Sequence, residues 1–288
     1  MKKLLNDFNE LVMFKHSIFS LPFIFTAMVV AADGWFGWRL FFLGLLAALS
    51  ARNFAMGVNR YLDRDIDSKN PRTASRPSVD GRISSQKQLL FIVINAFIFI
   101  IVAYFINSLA FCLSFPILAI LGGYSFFKRF SSVAHIVLGL SLGLAPIAGV
   151  VAVEADIPLW SLLLSSGVVF WVAGFDLLYS LQDIDFDKEE GLHSIPSIYG
   201  AKCTLFISKI FHGLTVLFWF FFVLAYRGGL FAYFAIIVSA IMLYVEHRIV
   251  QKDFNKIDKA FFTINGYLGI IFFGLIVLDI WTKYGVKG

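Results

Sequence analysis

Long uninterrupted apolar runs separated by shorter polar joints make up most of the chain. Nine can be marked, at about 17–33, 38–60, 89–107, 109–127, 133–153, 159–180, 205–225, 229–245 and 261–281. Each approaches or exceeds the roughly 18 residues that carry a helix across a hydrocarbon core of about 30 Å. The runs are continuous and lack the two-residue alternation of a barrel strand. The pattern therefore predicts an all-α, polytopic membrane protein of about nine transmembrane helices. Two polar joints stand out for length, 61–88 and 181–204, and a third, 246–260, is basic.

Composition agrees. Hydrophobic residues make up 59% of the 288 and charged residues 15%, against about 45–50% and about 25% in soluble domains. The mean hydropathy is +0.81. This excludes a soluble enzyme, a secreted disulfide scaffold and a DNA-binding domain. Cys112, in an apolar span, and Cys203, read as lying in a polar loop, form neither a framework nor a metal cluster. The polar start has no small-residue cleavage site, so the first span is expected to be retained.

A net charge of +5 and a pI near 9.1 invite a nucleic-acid reading, but the placement of the charges argues otherwise. With the N-terminus in the cytoplasm, both long loops, Lys128-Arg129 and the 246–260 stretch fall on the same side. Only Arg39, Arg227, Lys283 and Lys287 fall opposite, and Arg52 lies within a helix. An inside-positive bilayer topology accounts for the excess, and no nucleic acid is needed.

A short internal repeat is visible. Asp67 precedes Ser75-Arg76-Pro77-Ser78-Val79-Asp80-Gly81, and Asp187 precedes Ser194-Ile195-Pro196-Ser197-Ile198-Tyr199-Gly200. The copies are four helices apart, so both emerge on one face. They predict two related four-helix units, roughly 17–127 and 133–245, plus a ninth helix, within a single domain over 1–288.

Candidate chemistry sits just before these copies. Asn59, Asp63 and Asp67 are spaced i, i+4, i+8, and so are Tyr179, Asp183 and Asp187, which places each set on one helical face. Arg52 lies two turns before Asn59, and Asp176 two turns before Asp183. Six of the 19 acidic residues fall in 63–67 and 183–187. Stacked carboxylates repel each other near lipid, and a divalent ion relieves that repulsion. Mg²⁺ favours a few carboxylates with phosphate oxygens and water, so two facing ladders would hold Mg²⁺ on a diphosphate, with nearby Arg and Lys taking residual charge. The blander account, a solvated helix end with surface acids, serves one ladder better than a matched pair. Arg52 either meets substrate or forms an internal pair, for instance with Asp176. Tyr124 and Lys128 form a further i, i+4 pair, although Lys128 alone would also serve as an inside-positive anchor.

The string N-R-Y-L-D-R-D-I-D followed by N-P-R-T-A-S-R-P resembles the first signature of the UbiA superfamily of intramembrane prenyltransferases. Y-S-L-Q-D-I-D-F-D-K followed by G-L-H-S-I-P resembles the second, and Y-S-F-F-K-R follows the fourth helix. The resemblance implies metal–diphosphate roles for Asn59, Asp63, Asp67, Asp183 and Asp187. It implies diphosphate contacts for Tyr124, Lys128 and Tyr179, and matches the family's helix-2 arginine to Arg52. Arg60 departs from it, because many members carry an acid there; it is expected to contact phosphate or a loop carboxylate. For a basic residue near the start of the first helix, the candidates are Lys15 and His16.

K-H-S-I-F-S-L-P-F and W-V-A-G-F-D-L-L-Y-S-L-Q-D are similar to the 4-hydroxybenzoate polyprenyltransferase branch. Within it they resemble a bacterial subgroup associated with menaquinone made through futalosine. What this implies is Mg²⁺-dependent transfer from a polyprenyl diphosphate to a ring carbon of a hydroxylated aromatic acid, in respiratory quinone synthesis at the bacterial cytoplasmic membrane. The acceptor would be 4-hydroxybenzoate or a hydroxynaphthoate, its carboxylate held by Arg52, with Asp176 as base or phenol orienter. The two long loops would cap the site, and one chain carries both ladders. A transporter using Arg52 and Asp176 would not explain the ladders. The D-G-x-x-A-R core of CDP-alcohol phosphatidyl transfer is absent. Haem farnesylation and ether-lipid synthesis are lesser possibilities within the superfamily.

Overall fold

The computed structural model describes residues 2–13, 19, 21–254 and 257–285, and all regular structure among them is helical. In chain order the helices are α1 (Lys2–Leu11), α2 (Leu21–Ala31), α3 (Trp38–Leu62), α4 (Arg64–Lys69), α5 (Ser85–Ile106), α6 (Ser108–Gly123) and α7 (Ala134–Glu154). They continue with α8 (Leu159–Tyr179), α9 (Ile184–Glu189), α10 (Ile195–Ala225), α11 (Leu230–Lys252), α12 (Ile257–Ala260) and α13 (Gly266–Tyr284). Among the described residues, eight helical stretches are long and apolar enough to cross a membrane. The ninth expected span is the shorter α2, and part of the 17–33 run lies outside the described residues. The protein is a multi-pass membrane protein.

The joints are more helical than the sequence pattern implied. The polar start forms α1, which stacks Phe8 on Phe91 (centroids 4.7 Å apart) and engages Arg82 through Asp7 and Glu10. Residues 195–199 form a short helical turn, the chain kinks at Gly200 (φ 77°, ψ 170°), and the long part of α10 follows, so Cys203 is helical and does not lie in a loop. Their Pro, Ser and Gly content resembles loop punctuation, but Ser194 caps the helix in a reciprocal box with Ser197, and Pro196 occupies the first turn. The basic joint 246–260 likewise begins inside α11.

Two kinds of packing divide the bundle. Glycines let backbones meet where α7 packs: a Cβ on Gly139 would stand 2.3 Å from the Val169 carbonyl oxygen, and one on Gly149 2.5 Å from that of Ile24. Around α8, large aromatic side chains fill the space. Phe23, Trp171, Trp219 and Phe272 are buried together, with Trp219 and Phe272 centroids 4.7 Å apart. This filled side involves α2, α8, α10, α11 and α13. On the other side, α3, α5, α6 and α7, with residues of α2 and α8, surround a cavity.

Candidate active site

Small residues hollow out α3. Gly44, Ala47, Ala48 and Ala51 line a cavity of about 480 Å³ that also touches Ile106, Ile117, Leu121 and Val151. From Gly44 to Asn59 the helix rises about 22 Å at ~1.5 Å per residue, so the apolar part runs deep along the bundle. At the C-terminal end of α3 the lining turns polar, with Asn59, Asp63, Asp67, Asp183 and Asp187 all on its wall.

The local fold places both ladders there. α3 breaks at Asp63 (φ −88°, ψ 4°), yet the Asp67 amide donates to the Asp63 carbonyl at 2.7 Å, so the stripe continues into α4. After α8, a tighter turn over Ser180–Asp183 leads into α9. Asp65 and Asp185, two residues out of phase, stay off the cavity wall and are exposed.

Each inward carboxylate already has a partner. Lys128 Nζ lies 2.6 Å from Asp63 Oδ2, and Arg76 2.6 Å from Asp67 Oδ2. Arg72 grips Asp183 with two nitrogens, at 2.5 and 3.1 Å, and donates to the Tyr179 hydroxyl at 3.2 Å. Ser194 Oγ donates to Asp187 at 2.6 Å. Burial pushes the Asp63 carboxyl above the usual range, against the pull of Lys128. Asp65, outside the cavity, is drawn down to about 2, chiefly by its hydrogen bond from Arg129.

Asn59 Nδ2 donates to Asp63 (2.9 Å) and Ser125 (3.0 Å), while its Oδ1 accepts from Arg60 at 3.0 Å. Arg60 also meets Met13 sulfur at 3.2 Å, and among the described residues no loop carboxylate hydrogen-bonds to it. Arg52 and Tyr124 line the cavity. Arg52 does not pair with Asp176. It donates to the Val12 and Met13 carbonyls at 3.3 and 3.1 Å, and its buried Nε has no hydrogen-bond partner among the described residues. Asp176 instead lies 2.7 Å from Nδ1 of His135. Lys15 and His16 lie outside the described residues.

Sequence reasoning gave no role to Arg72, Arg76 or His135. The i, i+4 spacing of the two arginines within N-P-R-T-A-S-R-P was an available signal. His135 had none, since its meaning comes from α8.

The donor set fits a divalent ion. Asp63 Oδ1 is buried without a hydrogen-bond partner, and the other inward carboxylates are held by cations or a hydroxyl. Among the described residues no three His, Cys, Asp or Glu side chains already form a cluster able to hold a metal. Ligation would therefore combine carboxylates from both ladders with phosphate oxygens and water.

A membrane bundle whose cavity joins an acidic and basic head to a deep apolar channel is the form of an intramembrane enzyme for amphiphilic substrates. The family model described as "UbiA prenyltransferase family" matches residues 20–276, and the chain belongs to that family. It resembles a 4-hydroxybenzoate octaprenyltransferase of Yersinia pseudotuberculosis serotype IB, 32% identical over 227 residues, covering 78% of this chain and 77% of that one. The apo structure of a UbiA homolog from Aeropyrum pernix K1 matches with TM-score 0.83 at 32% identity, covering 92% of this chain and 98% of that one. A UbiA homolog from Archaeoglobus fulgidus, solved with DMAPP and Mg²⁺, shares the fold at TM-score 0.77 and 20% identity, covering 95% and 99%.

Proposed function

We propose that this chain transfers a polyprenyl group from an allylic polyprenyl diphosphate to a ring carbon of a hydroxylated aromatic acid, 4-hydroxybenzoate foremost, in respiratory quinone synthesis. The observation that carries this reading is the convergence of four carboxylates and three partner cations at the head of a deep apolar cavity. The head suits a metal diphosphate and the channel an isoprenoid tail. The name of the Yersinia relative supplies the acceptor.

Asp63, Asp67, Asp183 and Asp187, with Asn59, would hold Mg²⁺. The bound ion would neutralise charge developing on the leaving diphosphate. Lys128, Arg72 and Arg76 would pass from carboxylate to phosphate oxygens as the donor enters, with Tyr124, Tyr179 and Arg60 lining its path. The two polar segments, 61–88 and 181–204, would shield the allylic cation from water. Arg52, with its free Nε, would hold the acceptor carboxylate. The same reading puts the charged head on the cytoplasmic side of a bacterial membrane and treats 1–288 as one domain of two related units. Gly81 and Gly200, which close the two repeat copies, share a positive φ (86° and 77°), in support.

The test is prenyl transfer by membranes carrying the chain, supplied with a polyprenyl diphosphate, Mg²⁺ and, in parallel, 4-hydroxybenzoate or a dihydroxynaphthoate. A product on 4-hydroxybenzoate that EDTA abolishes is expected. Product on the naphthoate alone would replace the acceptor, and donor left intact with both acceptors would sink the reading. For Arg52→Ala the expectation is a rise of about tenfold in acceptor KM with donor KM little changed. An unchanged acceptor KM would remove that role.

A further inference from the structure

We infer that His135, oriented by Asp176, is the base that removes the ring proton after the carbon–carbon bond forms; this deepens the proposed aromatic transfer and rests on it. His135 occupies the first turn of α7 and is 5% exposed, and both residues line the cavity that receives the donor. Its Nδ1 lies 2.7 Å from Asp176 Oδ2, and the Ile195 amide points at its Nε2 from 3.5 Å. A carboxylate can only accept at Nδ1, and an amide N–H can only donate at Nε2. Together the two contacts select the tautomer with its proton on Nδ1 and a lone pair on Nε2. The Ile195 contact is long, so that lone pair is only weakly engaged. A buried imidazole held in this tautomer by a carboxylate is an oriented general base, and the same carboxylate stabilises the imidazolium that proton transfer creates.

Among the described residues lining the cavity, the second histidine, His193, is exposed and has no carboxylate hydrogen-bonded to its ring. Asp63, Asp67, Asp183 and Asp187 are committed to cations or a hydroxyl, and in the proposed reaction to metal. Asp176 stands on α8, one turn before Tyr179, with its side chain 25% exposed. Its carboxylate reaches the reaction through the ring of His135.

The allylic C–O bond breaks with its electron pair going to the diphosphate. A π pair of the ring then forms the new C–C bond, leaving one proton too many on that carbon. His135 Nε2 takes the proton, the C–H pair restores aromaticity, and the imidazolium later gives its proton to water. His135 is the catalytic residue in this scheme and Asp176 a positioning residue.

The experiment uses the full chain in membranes, Mg²⁺, a polyprenyl diphosphate and 4-hydroxybenzoate carrying hydrogen or deuterium at both carbons beside the hydroxyl. In the unaltered protein, ionisation of the donor is expected to limit the rate, so the two acceptors should react alike. In His135→Gln, transfer is expected to fall about 10²-fold or more, and a primary isotope effect should appear because proton loss has become limiting. Asp176→Asn should show a smaller fall with the same isotope effect, and Asp176→Glu should recover part of the rate. Donor KM, measured in parallel for each variant, separates a damaged donor site from a lost base, and a rate loss carried wholly by donor KM would overturn the inference. A slow His135→Gln protein with no isotope effect would make His135 a structural pin between α7, α8 and α10 and overturn the inference, as would full activity. An unaltered protein that makes no product on 4-hydroxybenzoate fails one step earlier, at the function itself.

Discussion

The segments 59–67 and 179–187 carry the same i, i+4, i+8 stripe, yet the fold treats them differently. Asp63 and Asp67 are 2% and 5% exposed, enclosed beneath the turns of 70–83, whereas Asp183 and Asp187 are half-buried on the facing wall. Asp67 is held by Arg76 and Asp187 by Ser194, so both outer carboxylates are pinned from within the two copies of the repeat. The inner pair is held from elsewhere: Lys128 follows α6, and Arg72 crosses from the first loop to the second ladder. Equal spacing thus yields one dry ladder and one wet one. Buried carboxylates need standing counter-charges, while half-exposed ones retain water that an arriving metal ion can share.

That difference predicts a divergence between stability and activity. Asp63→Ala and Asp183→Ala should each lower transfer by more than about 10²-fold, the scale on which lost transition-state electrostatics operate. Their melting behaviour should differ. Removing Asp63 strands Lys128 and one donor of the Asn59 amide and should cost about 1–3 kcal/mol. This falls below the ~3–5 kcal/mol of a fully buried pair, because the Lys128 side chain is 31% exposed and can rehydrate. Removing Asp183 releases Arg72, already 35% exposed, and should cost about 1 kcal/mol or less. Equal thermal shifts in purified protein would erase the distinction between dry and wet ladders.

Arg72→Gln sharpens the comparison from the cation side. If Arg72 passes from Asp183 to the incoming diphosphate, its loss should raise donor KM about tenfold, the equivalent of ~1.4 kcal/mol. The Mg²⁺ concentration for half-maximal rate should hold or fall, since Asp183 has lost a competitor. A clear rise in the Mg²⁺ requirement would show that the arginine supports the metal instead of standing in for it.

How much of this could be read in the chain follows from which interactions are local. Apolar length alone located every long helix, because a bilayer demands continuous apolar segments and nothing else in the sequence mimics them. The i, i+4, i+8 spacing identified the residues that reach the cavity, since one helical face is a local property. Partners were not legible. The internal pair of Arg52 with Asp176 does not form, and its protein contacts are the Val12 and Met13 carbonyls, about forty positions earlier in the chain. His135 gains a role only because α7 packs on α8, a contact set by glycines that carry no chemical signal of their own. Residues 195–204 read as part of a polar loop because helix-capping residues are also turn residues; they form a short helical turn and, past the kink at Gly200, the start of the long part of α10.

The smallest expected effect tests whether phase, and not mere acidity, defines the ladders. Asp65 lies two residues from both Asp63 and Asp67 but faces away, its side chain 63% exposed and paired with Arg129 at 2.7 Å. Asp65→Asn should leave transfer and Mg²⁺ dependence unchanged and cost less than about 1 kcal/mol, the usual worth of an exposed pair. The folded carboxyl titrates near 2, below its unfolded value of about 3.9. The pair's contribution is therefore fully present above the unfolded value and is lost as pH falls through the folded one. The small stability gap between the native protein and Asp65→Asn should stay constant from pH 7 to pH 5, as read by thermal melts. A gap that closes across that interval would show that another group, and not Asp65, carries it. A loss of transfer matching that of Asp63→Ala would mean that the two-residue phase does not separate site carboxylates from surface ones.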